Sequence, residues 1–110
     1  MPTLLPDLAV LEEKLNLVWS TRPRFFSLTS KPAQEQEFLT TTYRNIDSVV
    51  ALCERLAKTY DDPHDHFKDL GICARNIAKS QRFNPARKVN YVTKALQGMF
   101  AHIKKLKQQR

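Results

Sequence analysis

Glycine is scarce in this chain, which has only Gly71 and Gly98 among its 110 residues. The turns of β-sandwiches and the phosphate loops of Walker and dinucleotide-binding folds need more glycine, so the composition excludes most nucleotide-binding folds. No stretch approaches the roughly 20 apolar residues that a membrane-spanning helix requires. We therefore expect a single domain over residues 1–110, without a membrane segment and large enough to bury a core.

Cysteine is equally sparse, and two cysteines do not make a disulfide scaffold. Cys53 and Cys73 both fall at apolar positions of helical patterns, which favours buried thiols in a reducing compartment; a Cys53–Cys73 disulfide is the alternative. The N-terminus has early carboxylates and no charged leader region, so it does not resemble a signal peptide. The sequence predicts a cytoplasmic protein.

Carboxylates are absent from the last third of the sequence. Residues 70–110 contain ten Lys and Arg side chains and no Asp or Glu, whereas residues 1–60 contain seven of each sign. The whole chain carries a formal charge of +7. A segment with this much positive charge favours a polyanionic partner such as nucleic acid, although a basic surface also serves solubility.

Apolar residues recur at three- and four-residue steps in four segments, which predicts four amphipathic helices. The predicted bounds are about 6–19, 32–58, 63–81 and 85–107, with a loop over 20–31. Each helix can bury only one stripe, so the stripes must face one another. The expected fold is all-α, an antiparallel four-helix bundle.

Local signals refine these helices. Asp62-Pro63 and Asn84-Pro85 are typical of an N-cap followed by the first helical turn, and they predict the starts of the third and fourth helices. Gly71 lies inside the third helix, where glycine often admits a close neighbour. Continuity of the second helix through 40–42 stays open, because three consecutive threonines lower helix propensity.

The longest predicted helix, the second, has one apolar seam with apolar flanks. The seam comprises Leu39, Tyr43, Ile46, Val50, Cys53, Ala57 and Tyr60. The flanks are Phe38, Val49, Leu52 and Leu56. If these side chains are exposed, they form an apolar row on which a partner helix could pack. A protein–protein adaptor or assembly factor is therefore the alternative function.

Basic side chains cluster around the turn between the third and fourth helices. Arg75, Lys79 and Arg82 step by four and three along one face, and Arg87, Lys88 and Lys94 follow on the fourth helix. Guanidinium forks, ammonium charges and free helix N–H groups together suit a phosphate backbone. Phe83 in the turn either stacks on a base or plugs the end of the bundle, and we prefer the plug.

A second basic group, Arg22 and Arg24, lies in the first loop beside Phe25 and Phe26. Arginine next to aromatic rings in a loop suits single-stranded nucleic acid, and the alternative is a loop whose rings cover the core. No zinc-finger, RNA-recognition or GXXG motif is present, so we expect contacts to backbone charge and shape with little base discrimination.

Catalytic and metal-binding patterns are weak. His64 and His66 stand among Asp61, Asp62 and Asp65, but residues two apart do not share a helix face, and no HExxH spacing occurs. We prefer an Asp-rich helix start with exposed imidazoles over a metal site. No GxSxG motif or activated cysteine supports catalysis. The sequence predicts a protein that is not an enzyme and has no cofactor.

A short, basic, glycine-poor bundle without catalytic motifs resembles the small subunits of class 1 CRISPR effector complexes, over the whole chain in size and architecture but through no signature motif. The resemblance implies a non-catalytic subunit that binds the backbone of RNA or single-stranded DNA within a ribonucleoprotein. It also implies other protein subunits as partners and self-association of several copies.

Overall fold

The computed structural model describes residues 4–22 and 32–108. Over these ranges the chain forms α-helices and one short 3₁₀ turn but no β-strand. The elements are α1 (Leu4–Ser20), α2 (Pro32–Thr59), α3 (His66–Lys79), the 3₁₀ turn (Ser80–Arg82) and α4 (Pro85–Gln108). The all-α prediction is confirmed, and most of the predicted 20–31 loop lies outside the described residues.

Helix α3 begins three residues later than predicted, at His66 and not at Pro63. Asp62 closes a turn by accepting the Asp65 N–H at 3.1 Å, and Asp65 takes a left-handed conformation with φ of 59°. The Asp62 carboxylate then accepts the N–H groups of Phe67 at 3.1 Å and Lys68 at 2.9 Å. The predicted N-cap is therefore wrong, since Asp65 is the N-cap residue, but the Asp62 carboxylate still satisfies two N–H groups of the first turn from across the preceding turn.

Helix α2 is unbroken through its threonines. Thr42 is buried, and its hydroxyl donates to the carbonyl of Phe38 at 2.8 Å, so the polar group is satisfied inside the helix. The β-branched run therefore continues the helix, because its one buried hydroxyl bonds to the preceding turn.

The predicted stripes of three helices form the core. The buried members are Leu8, Leu11, Leu15 and Val18 of α1; Phe67, Leu70, Ala74 and Ile77 of α3; and Val89, Val92, Leu96, Met99, Ile103 and Leu106 of α4. Each of these helices presents a single stripe to its neighbours, as the spacing requires.

The stripe of α2 is wider than its predicted seam and is turned toward one flank. Phe38, Val49 and Leu56 are fully buried, whereas Ala57 at the predicted seam is exposed. Both the predicted seam and this flank are apolar, and it is the flank side that α2 buries where it packs against α1 and α3.

Two contacts show how α2 and α3 lie against each other. Tyr43, in the first half of α2, bonds to Ser80 just after α3, while Tyr60, just after α2, packs on Phe67 at the start of α3. Helix α4 closes the bundle on α1, where the rings of Trp19 and Phe100 meet edge-on at 5.8 Å.

Gly71 is buried, but the nearest side chain to its open face is the exposed Arg75 of the same helix. The Arg75 guanidinium lies 3.4 Å from the position that a Cβ atom would occupy on Gly71, which is an ordinary van der Waals distance. The close neighbour expected at this glycine is therefore not found among the described residues. None of the described helices has both the length and the apolar character needed to cross a membrane.

Candidate nucleic-acid interface

Four cations flank the connection between α3 and α4, and we call them the turn patch: Lys79, Arg82, Arg87 and Lys88. The first three are exposed and Lys88 is half-buried. Within residues 4–22 and 32–108, none of the four forms an ion pair with a carboxylate, since the two ion pairs there involve other cations. Their charge is therefore available to a ligand.

Local sequence explains why the turn patch exists. Helix α3 ends at Lys79, and the 3₁₀ turn closes when the Phe83 N–H donates to the carbonyl of Ser80 at 2.9 Å. Asn84 then caps α4, because its side-chain Oδ1 accepts the Arg87 N–H at 3.1 Å. The predicted Asn84 cap is confirmed, and the two helix ends hold the cations within ten residues.

The first turn of α4 runs against the usual charge preference of a helix. It contains no carboxylate and carries Arg87 and Lys88 near the positive end of the helix dipole. Cations at this end are unfavourable by about 0.3–1 kcal/mol each at an exposed position. An anion at the turn relieves this repulsion, so the arrangement favours an anionic ligand.

Phe83 does not plug the bundle, and that preference is wrong. Its ring is half-exposed and lies outside the core. The Arg87 guanidinium carbon lies 5.0 Å from the centroid of the ring, and the ring of Tyr91 meets it nearly perpendicularly at 5.1 Å. The three side chains form a cation–aromatic group on the outside of the turn.

Tyr43 supports the patch from α2, a contribution that sequence reasoning missed. The Ser80 hydroxyl donates its hydrogen bond to the carbonyl of Ile77. The Tyr43 hydroxyl is therefore the donor in its 2.7 Å bond to Ser80 Oγ. Burial raises the pKa of the Tyr43 phenol, and the bond to Ser80 offsets part of that rise. The Lys88 ammonium lies 5.9 Å from the centroid of the same ring, which holds it near the turn.

Two cations of the basic C-terminal segment are neutralised by acids from the N-terminal half. Arg75 Nη1 lies 3.3 Å from Glu54 of α2, and Lys107 Nζ lies 2.7 Å from Glu12 of α1. Arg75 was a candidate contact, and its charge is now shared with Glu54. It lies one helical turn, about 6 Å, from Lys79 along α3.

Lys94 extends the patch, whereas the other cations of α4 lie apart from it. Lys94 is exposed seven residues after Arg87, so it stands about 10 Å further along the same face. Lys104 and Lys105 are sixteen or more residues beyond Lys88, about 24 Å along the axis. The segment's cations thus divide between the two ends of α4.

The first-loop group is separate as well. Arg22 lies over the ring of Trp19 with 4.3 Å between its guanidinium carbon and the centroid, and it donates to the carbonyl of that residue at 3.1 Å. Trp19 in turn packs on Phe100, thirteen residues and about 20 Å along α4 from Arg87. Arg24, Phe25 and Phe26 lie outside the described residues.

The apolar row of α2 that an adaptor would offer to a partner helix is buried within this chain, so it cannot dock on another protein. Its members are Phe38, Val49, Leu52 and Leu56.

The histidines and cysteines are the other candidate sites. His66 is 9% exposed and not an exposed imidazole as predicted, while His64 is exposed. Both cysteines are free, and burial raises the pKa of the Cys53 thiol to about 12.

The fold and the turn patch define a small all-α domain with a compact electropositive turn. Comparison with protein-family models, with curated proteins and with solved structures finds no match for this chain.

Proposed function

We propose that this protein is a non-enzymatic subunit that binds the sugar-phosphate backbone of RNA or single-stranded DNA through the turn patch. The observation that carries the proposal is the set of four cations at one helix connection, three of them exposed, to which no carboxylate of residues 4–22 and 32–108 is paired. Arg87 and Lys88 also repel the positive end of the α4 dipole, and phosphate groups would offset that repulsion.

The proposed interface is narrower than the whole basic segment. Its contacts are Lys79, Arg82, Arg87 and Lys88, with Lys94 extending it along α4. Arg75 contributes less because Glu54 competes with a phosphate for its guanidinium. Phe83 adds a half-exposed ring beside Arg87, the kind of surface on which an unpaired base stacks.

Salt dependence tests the proposal. Four phosphate contacts on a single strand give a log–log slope of affinity against salt concentration of about −3. We expect binding of a fluorescent single-stranded oligonucleotide to follow this slope in anisotropy titrations. Absence of binding at low salt, or binding that salt does not weaken, would remove the proposal.

A matched pair of variants locates the interface. Replacing Lys79 and Arg82 together by Gln removes two charges from the patch, so the slope should become shallower by about 1.4. Replacing Arg55 and Lys58 by Gln removes the same charge from exposed positions in the last two turns of α2, outside the turn patch. That control should leave the slope unchanged, and an equal loss in both variants would mean nonspecific attraction to net charge.

We further propose that the protein works in the cytoplasm within a ribonucleoprotein, as the resemblance to small subunits of class 1 CRISPR effector complexes implies. Two unpaired thiols fit a reducing compartment, and a basic patch on an all-α domain fits such a subunit. Purification of the native complex with and without nuclease tests this, since the proposal requires nucleic acid, other protein subunits and further copies of this chain to co-purify.

A further inference from the structure

Two histidines that are 36 residues apart in sequence meet where α3 begins. His66 is the first residue of α3 and is nearly buried, and His102 is half-buried on α4. Their Nδ1 atoms face each other at 3.2 Å. The spacing within 61–66 gave no sign of this pair, because the second imidazole comes from another helix.

The separation of the two nitrogens is that of neighbouring ligands on one metal ion. Zinc binds histidine nitrogen at about 2.0–2.1 Å, and tetrahedral geometry then places two ligand nitrogens about 3.3 Å apart. We propose that His66 and His102 bind a Zn²⁺ ion through their Nδ1 atoms, with water at the remaining positions. When no ion is bound, one imidazole donates a hydrogen bond to the other.

Two protein ligands are what the structure offers. Among residues 4–22 and 32–108, no group of three or more His, Cys, Asp or Glu side chains is arranged to hold a metal ion. The ring of His64 lies 5.9 Å from that of His66, on the exposed turn, and we assign it no ligand role. Imidazole binds zinc well, and water would fill the positions that the two histidines leave open, so this site has fewer protein ligands than the three or four of most zinc sites.

Charges of both signs lie near the pair in sequence. Asp65 and Asp69 lie one and three residues from His66, and Asp62 accepts two backbone N–H bonds of the same helix. Lys68, Lys104 and Lys105 lie within three residues of one histidine or the other and are exposed, as Asp65 is. The turn patch lies at the other end of α3, about 20 Å away, so this proposal does not depend on the proposed function.

Binding would join α3 to α4 at the end where no turn connects them. The unfolded chain does not hold these two imidazoles together, so an ion bound by both stabilises the folded state.

The test is equilibrium dialysis of the purified full-length chain against ZnCl₂ in a non-chelating buffer near neutral pH. We expect one Zn²⁺ per chain, with loss of that ion in His66→Gln and in His102→Gln. His64→Gln and Cys73→Ser, matched controls for a neighbouring imidazole and a half-buried thiol, should keep it. Circular dichroism establishes that each variant is folded.

Imidazole ¹⁵N NMR of the unaltered chain provides a readout that needs no variant. On addition of Zn²⁺ alone, the Nδ1 resonances of His66 and His102 should shift and the His64 resonances should not. Retention of the ion by folded His102→Gln, or unmoved Nδ1 resonances in the presence of bound zinc, would overturn the proposal. So would a wild-type chain that binds no zinc.

Discussion

The two ends of the α3–α4 pair differ in chemistry although the same two helices form both. At the turn end, Lys79, Arg82 and Arg87 are exposed, and none of them pairs with a carboxylate in the part of the chain that the structure describes. At the open end, His66 meets His102 beside an Asp-rich turn. Between them runs one continuous core, in which Phe67, Leu70, Ala74 and Ile77 of α3 are fully buried.

This contrast shows how little of a helix the core dictates. Packing fixes the buried stripe, while the flanking positions at each end are free to carry charge of either sign. Along α3, Lys68 and Asp69 stand side by side at the open end, whereas Lys79 ends the helix with no acidic residue near it in sequence. The two ends therefore differ in their carboxylates more than in their cations.

The largest predicted effect tests whether the two ends share one cooperative core. Phe67→Ala at the open end should lower the free energy of unfolding by about 3–5 kcal/mol, and Ile77→Ala near the turn end by about 2–5 kcal/mol. Both side chains belong to the same buried cluster, so each variant should still unfold in one transition by circular dichroism in urea. Separate melting of one end in either variant would show two independent units.

The next effect compares the helix caps at the two ends. Asp62 accepts two backbone N–H bonds at the start of α3, whereas Asn84 accepts one at the start of α4. Asp62→Ala should therefore cost about 1–2 kcal/mol of unfolding free energy, and Asn84→Ala about 0.5–1 kcal/mol.

Asp61→Ala is the control for the first cap, because it removes the same charge from an exposed neighbour. Its unfolding midpoint should stay close to that of the unaltered chain. If Asp61→Ala cost as much as Asp62→Ala, the effect would come from local charge and not from the cap bonds.

Periodicity predicted the helices because a buried stripe leaves a direct trace in sequence. The stripes of α1, α3 and α4 are buried as the spacing indicated. Prediction was less accurate on α2, where two neighbouring rows of positions are both apolar, and spacing alone does not show which row faces the core. The predicted start of α3 was also wrong. One Asp-Pro pair fits two arrangements, an Asp that immediately precedes the helix and an Asp that accepts its N–H groups from across a turn.

The candidate site could be predicted only where it is local. The cations around 79–88 are near one another in sequence, so their positions along the predicted helices and turn were enough to group them. The Tyr43–Ser80 bond, the Arg75–Glu54 ion pair and the His66–His102 contact each join residues from different helices. Such pairs depend on how the helices pack, and a helical period carries no record of which side chains meet across two helices.

The smallest predicted effect sharpens the charge contrast. Glu54→Gln leaves Arg75 without its partner one turn from Lys79, so Arg75 is free to contact a phosphate. The exposed ion pair contributes no more than about 1 kcal/mol to stability, and the fold should be preserved. Binding of single-stranded oligonucleotide should tighten, and its log–log salt slope should steepen by about 0.7.

Glu12→Gln provides the matched comparison, since it releases Lys107 near the far end of α4 with the same change in net charge. Anisotropy titrations should show no change of slope in this variant, because Lys107 lies about 28 Å from Lys88 along the axis. Equal steepening in both variants would mean that the polyanion follows the basic segment as a whole. Steepening in Glu54→Gln alone would place the bound strand at the turn and make Glu54 an internal competitor for it.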